Sequence, residues 1–312
     1  MDKQLISITD CTAKEVQQLI ELAFQFKEKK DKKILDDEIL KGKVVAMIFE
    51  KASLRTKVAF EVATAAMGGI PVYLTSSQIL ASGHNEKGRE SVPDIARNLE
   101  RFADIVLARV YKNEVIEEIA ASIDKPVINL LCDKYHPTQA LADLMAIQWH
   151  FPDTKNLTVT FIGDGNNVAI SLMHICSLYG INFHMASPKE YEIPMEERNF
   201  AIKHATLNGT KLLFTQSTVE AMENADILYT DTFVSMGMED ETAKRLKDFQ
   251  GYQVNMDLLK SSGKKTLFMH CLPAHRGEEV TDEVMDCDQS IVFDQAECRL
   301  HIAKALLSYF LK

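Results

Sequence analysis

At 312 residues, 46% hydrophobic and 26% charged, the chain has the length of two ordinary domains and the balance of a globular protein. Its formal net charge of -10 argues against a nucleic-acid partner, because a phosphate backbone favours basic faces, but it leaves room for an anionic substrate held by a local cluster of arginines. The opening MDKQLISITD has no apolar core of signal-peptide length, and runs such as Val44–Phe49 are far too short to span a bilayer, so no membrane association and a cytoplasmic location are expected.

Residues 13–29 read as an amphipathic helix with Glu, Gln and Lys on its polar face. Apolar runs at 44–49, 72–75, 105–108 and 127–131 follow, each succeeded by a charged stretch with helical spacing. The alternation resumes with runs at 158–162, 183–186, 212–215, 227–230, 266–269 and 290–293. Continuous apolar strands separated by helices predict an α/β fold with mostly parallel central sheets flanked by helices. A helical stretch from Pro137 runs into Trp149-His150-Phe151-Pro152-Asp153, where a Pro-containing polar break divides the chain, giving domains 1–150 and 151–295. Six cysteines (Cys11, Cys132, Cys176, Cys271, Cys287, Cys298) scatter without paired spacing and read as free thiols; no metal site is expected.

In open parallel sheets ligands sit beyond the carboxyl ends of the strands, and that is where the unusual residues fall. Ser53-Leu54-Arg55-Thr56-Lys57 follows a strand and opens a helix, whose free N–H groups and partial positive charge suit a phosphate. Alone, this segment reads more readily as an ordinary Ser N-cap with surface Arg and Lys. Arg109 stands just past another strand, and His136-Pro137-Thr138-Gln139 opens a helix with Pro at its favoured first position. Gly163-Asp164-Gly165-Asn166-Asn167 resembles a dinucleotide fingerprint, but Val168 replaces the third glycine; Asn167 can instead hold a carboxylate. Asp231, followed by Ser235 and Met236, is placed to bind an ammonium group. His270 and Cys271 are neighbours on an extended chain and point to opposite faces, which argues against a His-activated thiol nucleophile. Arg299 stands near the start of the expected final helix.

Seven blocks in order carry a resemblance: FEKASLRTK, RESVPDIARNLERFADIVLARVY, HPTQALADL, FIGDGNNV, TDTFVSMG, FMHCLPAHRGEEVTDEV and SIVFDQAECRLH. They resemble the aspartate/ornithine transcarbamoylase family over essentially the whole chain, and TDTFVSMG with HCLPA resembles its ornithine-using members. The resemblance implies two α/β domains, one for carbamoyl phosphate and one for the amino acid, bridged by N- and C-terminal helices. The C-terminal helix, about 296–312, would pack back onto the first domain. It also implies a homotrimer or an assembly of trimers, with Gln78 on a loop that reaches a neighbouring active site.

The same resemblance implies residue roles. Ser53, Leu54 through its backbone N–H, Arg55, Thr56 and Gln78 would bind the phosphate. Arg109, His136 and Gln139 would hold the carbamoyl end, with Arg299 also in contact. Asn167 and Met236 would hold the α-carboxylate of L-ornithine, and Asp231 with Ser235 its α-ammonium. Cys271 would lie near the side-chain amine, with the Leu272 carbonyl close to the carbamoyl nitrogen. Arg55, Arg109, His136 and Cys271 are the expected catalytic residues, and no cofactor is implied. The reaction is attack of the neutral side-chain amine on the carbamoyl carbon, giving L-citrulline and phosphate in arginine metabolism.

Three features depart from the family pattern. Leu54 and Lys57 replace a hydroxyl residue and an arginine; a lost hydroxyl contact would cost roughly 1.5–3 kcal/mol if the phosphate used it. The 76–88 loop is long, and Cys298 stands where the family has Asn. Competing readings are a carbamoyltransferase for an N-acylated ornithine or putrescine, a catalytically weakened ligand-binding member, and, more remotely, a nucleotide-binding dehydrogenase.

Overall fold

The computed structural model describes residues 1, 3–75, 90–235 and 237–312, so Gln78, Met236 and the whole 76–88 loop lie outside the described residues. The chain divides into two compact units, 1–145 with 297–312, and 146–296. Both boundaries fall inside helices, Pro137–His150 and Val292–Leu311.

The first unit is built on a five-stranded parallel sheet in the order β1-β5-β4-β2-β3. Its strands are β1 (Gln4–Leu5), β2 (Val44–Phe49), β3 (Ile70–Thr75), β4 (Ile105–Arg109) and β5 (Val127–Leu131). The helices are α1 (Ala13–Asp31), α2 (Leu54–Ala66), α3 (Val92–Phe102), α4 (Asn113–Ser122) and α5 (Pro137–His150). Thr12 starts α1 through a reciprocal capping box with Glu15, which explains why the amphipathic pattern begins there. Strands β4 and β5 are buried along their whole length, and Val106, Ala108 and Val127 pack with Ile95 of α3 and with Ile116 and Ile119 of α4. Their unbroken apolar runs follow from helices covering both faces.

The second unit carries a five-stranded parallel sheet in the order β10-β9-β6-β7-β8. Its strands are β6 (Thr158–Ile162), β7 (Asn182–Ala186), β8 (Leu212–Thr215), β9 (Ile227–Thr230) and β10 (Leu267–His270). The helices are α6 (Asn167–Tyr179), α7 (Met195–Asn208), α8 (Thr218–Ala221), α9 (Thr242–Asp248), α10 (Met256–Lys260) and α11 (Asp282–Met285), and α12 (Val292–Leu311) begins here and belongs to the first unit from residue 297 on. Helix α6 is buried along most of its length and ends on Gly180, whose φ of 82° needs a residue without Cβ.

The run at 290–293, expected as a strand, is corrected. Ser290 makes a single parallel bridge to Phe268 and Ile291 N donates to the Phe268 carbonyl, after which the chain turns into α12 at Val292. The segment touches the edge of the sheet without continuing along it. Its apolar residues instead form the first turn of the last helix, which begins at Val292 rather than near 296. Arg299 is therefore two turns inside the helix. The two-residue strand β1 was not anticipated.

Both sheets place a topological switch where the chemistry-bearing loops lie. In the first, β2 pairs with β3 on one side and β4 on the other, so the loops after β2 and β4 leave the same sheet end side by side. In the second, β6 pairs with β7 and β9, which brings together the loops at 163–167 and 231–235.

Candidate active site

In the first unit the loops after β2 and β4 are tied to each other. Glu50 N donates to the Arg109 carbonyl at 2.8 Å, and Tyr111 N donates to Glu50 Oε2 at 2.7 Å. Beyond this clasp the chain enters α2 at Ser53, which occupies the N-cap position yet makes no side-chain capping bond. The Ser53 hydroxyl is therefore not serving as an ordinary N-cap acceptor. Thr56, in the first turn, is buried, and its Oγ1 accepts from Arg299 Nη2 at 2.9 Å.

The Arg299 guanidinium collects this side of the site. Its Nη1 donates to Gln139 Oε1 and lies 3.4 Å from His136 Nε2. Because arginine only donates, Nε2 of His136 is the acceptor in that contact. His136, Gln139 and Arg299 are all buried, as is Arg109. Arg109 leaves β4 at a register irregularity against β5, a feature that re-aims a strand-end side chain. Burial, followed by the charges of Arg299, Arg109 and Arg55, holds the His136 ring well below its usual pKa, so it stays neutral at pH 7.

Leu54 and Lys57 face elsewhere. The Leu54 side chain is 73% exposed, so the missing hydroxyl falls on a solvent-facing position while the backbone N–H stays in the first turn of α2. Lys57 lies over the Tyr73 ring at 4.2 Å and 3.6 Å from Glu61.

In the second unit the site is organised by Asp231, the residue after β9. Asn166 Nδ2 donates to its Oδ2 at 2.9 Å, and Cys271 Sγ donates to its Oδ1 at 3.1 Å. The Asn166 carbonyl oxygen also accepts from Val168 N and Ala169 N, capping α6. That cap occupies amides a nucleotide phosphate would use, and Val168 is itself buried, so the dinucleotide reading loses its anion site. Asn167 and Ser235 are half-buried on the two adjacent loops.

Arg245 pins these loops to each other. It donates to Asp164 Oδ2 at 2.7 Å, to Glu241 Oε2 at 2.8 Å and to the Phe233 carbonyl at 3.2 Å. Burial pushes the Asp164 carboxyl up, and the Arg245 bond opposes that shift. Gly165 packs so tightly that a Cβ there would meet the backbone N of Ile193 at 2.5 Å.

The turn after β10 is held from behind. Leu272 N donates to His270 Nδ1 at 2.8 Å, which puts the ring proton on Nε2, 3.3 Å from buried Glu279. Leu272 sits at φ 60°, a left-handed conformation that costs a bulky residue on the order of 1–3 kcal/mol and persists where its surroundings impose it. His270 thus supports the Leu272 backbone, yet a ring nitrogen of His270 and the Cys271 thiol lie within 4.8 Å, so the expectation that the two neighbours point fully apart is corrected.

Among the described residues, ligand-type atoms of Asp231, His270 and Cys271 lie within 4.8 Å of one another, as do those of His275, Glu278 and Glu279. In the first group the hydrogen bonds above already engage all three side chains. All six cysteines are free thiols.

Sequence reasoning missed Asn166, Asp164, Arg245 and Asp143. Asn166 and Asp164 stand in the quoted FIGDGNNV block, but their partners are distant in sequence. Arg245 sits in an ordinary charged helix, and nothing local distinguishes it.

Comparison with known proteins agrees with this division. The carbamoyl-phosphate-binding domain model of aspartate/ornithine carbamoyltransferases matches residues 3–149, and the family's aspartate/ornithine-binding domain model matches residues 155–310. The ornithine carbamoyltransferase of Thermus thermophilus is 44% identical over 312 residues, 100% of this chain and 98% of its own. That of Caldicellulosiruptor saccharolyticus is 42% identical over 308 residues, 98% of each chain. The solved ornithine carbamoyltransferase of Pyrococcus furiosus superposes with a TM-score of 0.92 at 42% identity, covering 98% of this chain and 96% of that one.

Proposed function

The chain belongs to the aspartate/ornithine carbamoyltransferase family, and from that premise we propose that it transfers the carbamoyl group of carbamoyl phosphate to the side-chain amine of L-ornithine, yielding L-citrulline and phosphate. The observation that carries the amino-acid side is the pair of bonds on Asp231 from Asn166 and Cys271. They fix a carboxylate at a switch point between two loops, placed for an ammonium ion.

On the phosphate side, Ser53, the Leu54 N–H, Arg55 and Thr56 hold the phosphate at the start of α2, with Arg299 beside them. Arg109, His136 and Gln139 face the carbamoyl group. A neutral His136 among arginines donates a hydrogen bond to the carbonyl oxygen as negative charge develops there. Asn167 and Met236 take the α-carboxylate of ornithine, and Asp231 with Ser235 its α-ammonium. Cys271 and the Leu272 carbonyl receive the reacting amine and the carbamoyl nitrogen.

Attack requires the amine unprotonated, although such an amine is charged in water at neutral pH. The Nδ lone pair adds to the carbamoyl carbon, the tetrahedral intermediate collapses, and phosphate departs with the C–O bond pair and takes up the proton that Nδ loses. Rate comes from holding two substrates and from fixed donors around the oxyanion.

The cytoplasm and arginine metabolism are the setting we propose. No described helix is long and apolar enough to cross a membrane. A homotrimer with Gln78 reaching a neighbour is the proposed assembly. Supporting it, Leu54, Val58 and Val62 expose one apolar stripe of α2, and Ile70 and Val72 expose apolar side chains on the edge strand β3.

The test is citrulline formation from carbamoyl phosphate and a panel of amines. Turnover of L-ornithine is expected. Turnover of N-acetylornithine or putrescine without L-ornithine would overturn the substrate, and no turnover with any amine would favour a ligand-binding role.

A further inference from the structure

Gln139 presents its side-chain oxygen to Arg299, and the reason lies one turn further along α5. Gln139 Nε2 donates to Asp143 Oδ1 at 2.8 Å, and Asp143 is fully buried. An ionised carboxylate can only accept, so it selects the NH2 end of the amide. The Oε1 end is then turned to Arg299, which can only donate. Arg299 in turn places its other nitrogen on Thr56. The i, i+4 spacing on α5 makes Asp143 and Gln139 neighbours on one helix face.

We propose that Asp143 is a positioning residue for carbamoyl transfer: it sets the amide orientation of Gln139 and, through it, the Arg299 guanidinium. The inference rests on the reading of this unit as the carbamoyl-phosphate side. It adds a specific consequence. A Gln139 oxygen aimed into the site can accept from the carbamoyl NH2 as well as from Arg299, because an amide oxygen has two lone pairs. A flipped amide would present NH2 to Arg299, donor against donor, and would withdraw that acceptor from the substrate.

Two substitutions probe the selection. Asp143→Asn keeps an acceptor but adds an NH2, so it can pair with either end of the Gln139 amide; Asp143→Ala removes the partner altogether. The readout is the KM for carbamoyl phosphate and, at saturating carbamoyl phosphate, the KM for L-ornithine, with thermal melting as a check on folding. Asp143→Ala is expected to raise the carbamoyl phosphate KM by on the order of tenfold or more while moving the ornithine KM by less than about threefold. Asp143→Asn, which no longer forces one orientation of the Gln139 amide, is expected to raise the carbamoyl phosphate KM by more than about threefold but by less than Asp143→Ala does. In a Gln139→Ala background, Asp143→Ala should add little, because the residue it acts through is gone.

Three outcomes overturn the proposal: an unchanged carbamoyl phosphate KM in Asp143→Ala, an undiminished effect in the Gln139→Ala background, or a carbamoyl phosphate KM in a folded Asp143→Asn that equals the parent's. Should Asp143→Ala fail to fold, Asp143→Asn alone decides. A parent enzyme that forms no citrulline would refute the proposed function instead, so the two failures are distinct.

Discussion

Arg299 Nη2 donates to Thr56 Oγ1 at 2.9 Å, joining residues 243 positions apart in the chain. One belongs to the first turn of α2, the other to the middle of α12. Folding the last helix onto the first unit therefore completes the anion site. Thr56→Val keeps the shape and removes the acceptor. The expected result is a rise of about tenfold or more in the KM for carbamoyl phosphate, since a hydrogen bond to a charged group contributes roughly 1.5–3 kcal/mol. Steady-state kinetics with ornithine held saturating reads it.

The two basic residues of the SLRTK segment should behave differently. Lys57 is engaged by Tyr73 and Glu61 on the flank of α2. Lys57→Met should change the carbamoyl phosphate KM by less than about threefold, an exposed pair being worth ~0–1 kcal/mol. Arg55→Gly should abolish carbamoyl phosphate binding at working concentrations. Titration calorimetry with carbamoyl phosphate alone distinguishes the two, and equal losses would put Lys57 at the phosphate.

Arg245→Met should injure the amino-acid side. It strips Asp164 of its cation and releases the Phe233 carbonyl and Glu241, so the loops at 163–167 and 231–235 lose their common anchor. A stability loss on the order of a few kcal/mol is expected from leaving a buried carboxylate unpaired. The ornithine KM should rise with little change for carbamoyl phosphate. Denaturant melts and the two KM values check both halves.

Stability should fall in acid through His174. Its ring is buried and neutral, with Nε2 2.9 Å from the Glu197 carbonyl, and burial pushes its pKa down from 6.5 to about 4. Between those values the unfolded chain binds a proton that the folded chain refuses. The contribution is thus fully present above pH 6.5 and is lost as pH falls towards 4, a swing of about 3 kcal/mol. Melting temperatures measured from pH 7 to pH 4 should fall less steeply for His174→Gln than for the parent. Parallel curves would contradict the assignment.

Much of this was legible from the sequence, for physical reasons that also mark where reading stopped. Nine of the apolar runs became strands, and central ones such as β4 and β9 are apolar because helices bury both of their faces. The run at 290–293 has the same look, yet a short apolar run cannot by itself be told from a buried helical turn. There the pairing to Phe268 stops after one bridge and the helix begins. That error displaced Arg299 to the start of a helix, when its reach to Thr56, His136 and Gln139 comes from two turns inside.

The strand-end rule put Arg109 at the end of β4 and Asp231 and Cys271 just after β9 and β10, which is where they stand. It did not find Asp143 or Arg245, whose importance comes from partners brought near by folding. Nor did it show which way a first-turn side chain points. Leu54 and Thr56 stand two apart in one motif, and the structure exposes the first and buries the second. The departure at Leu54 therefore removes no hydroxyl from the buried side of the site.

The most direct test of the two-sided account is a side-by-side measurement of citrulline formation by Asp231→Ala and the parent, each with both substrates varied. The account predicts a large rise in the ornithine KM for Asp231→Ala with carbamoyl phosphate affinity nearly intact. Equal losses for the two substrates would contradict the assignment of Asp231 to the amino-acid side.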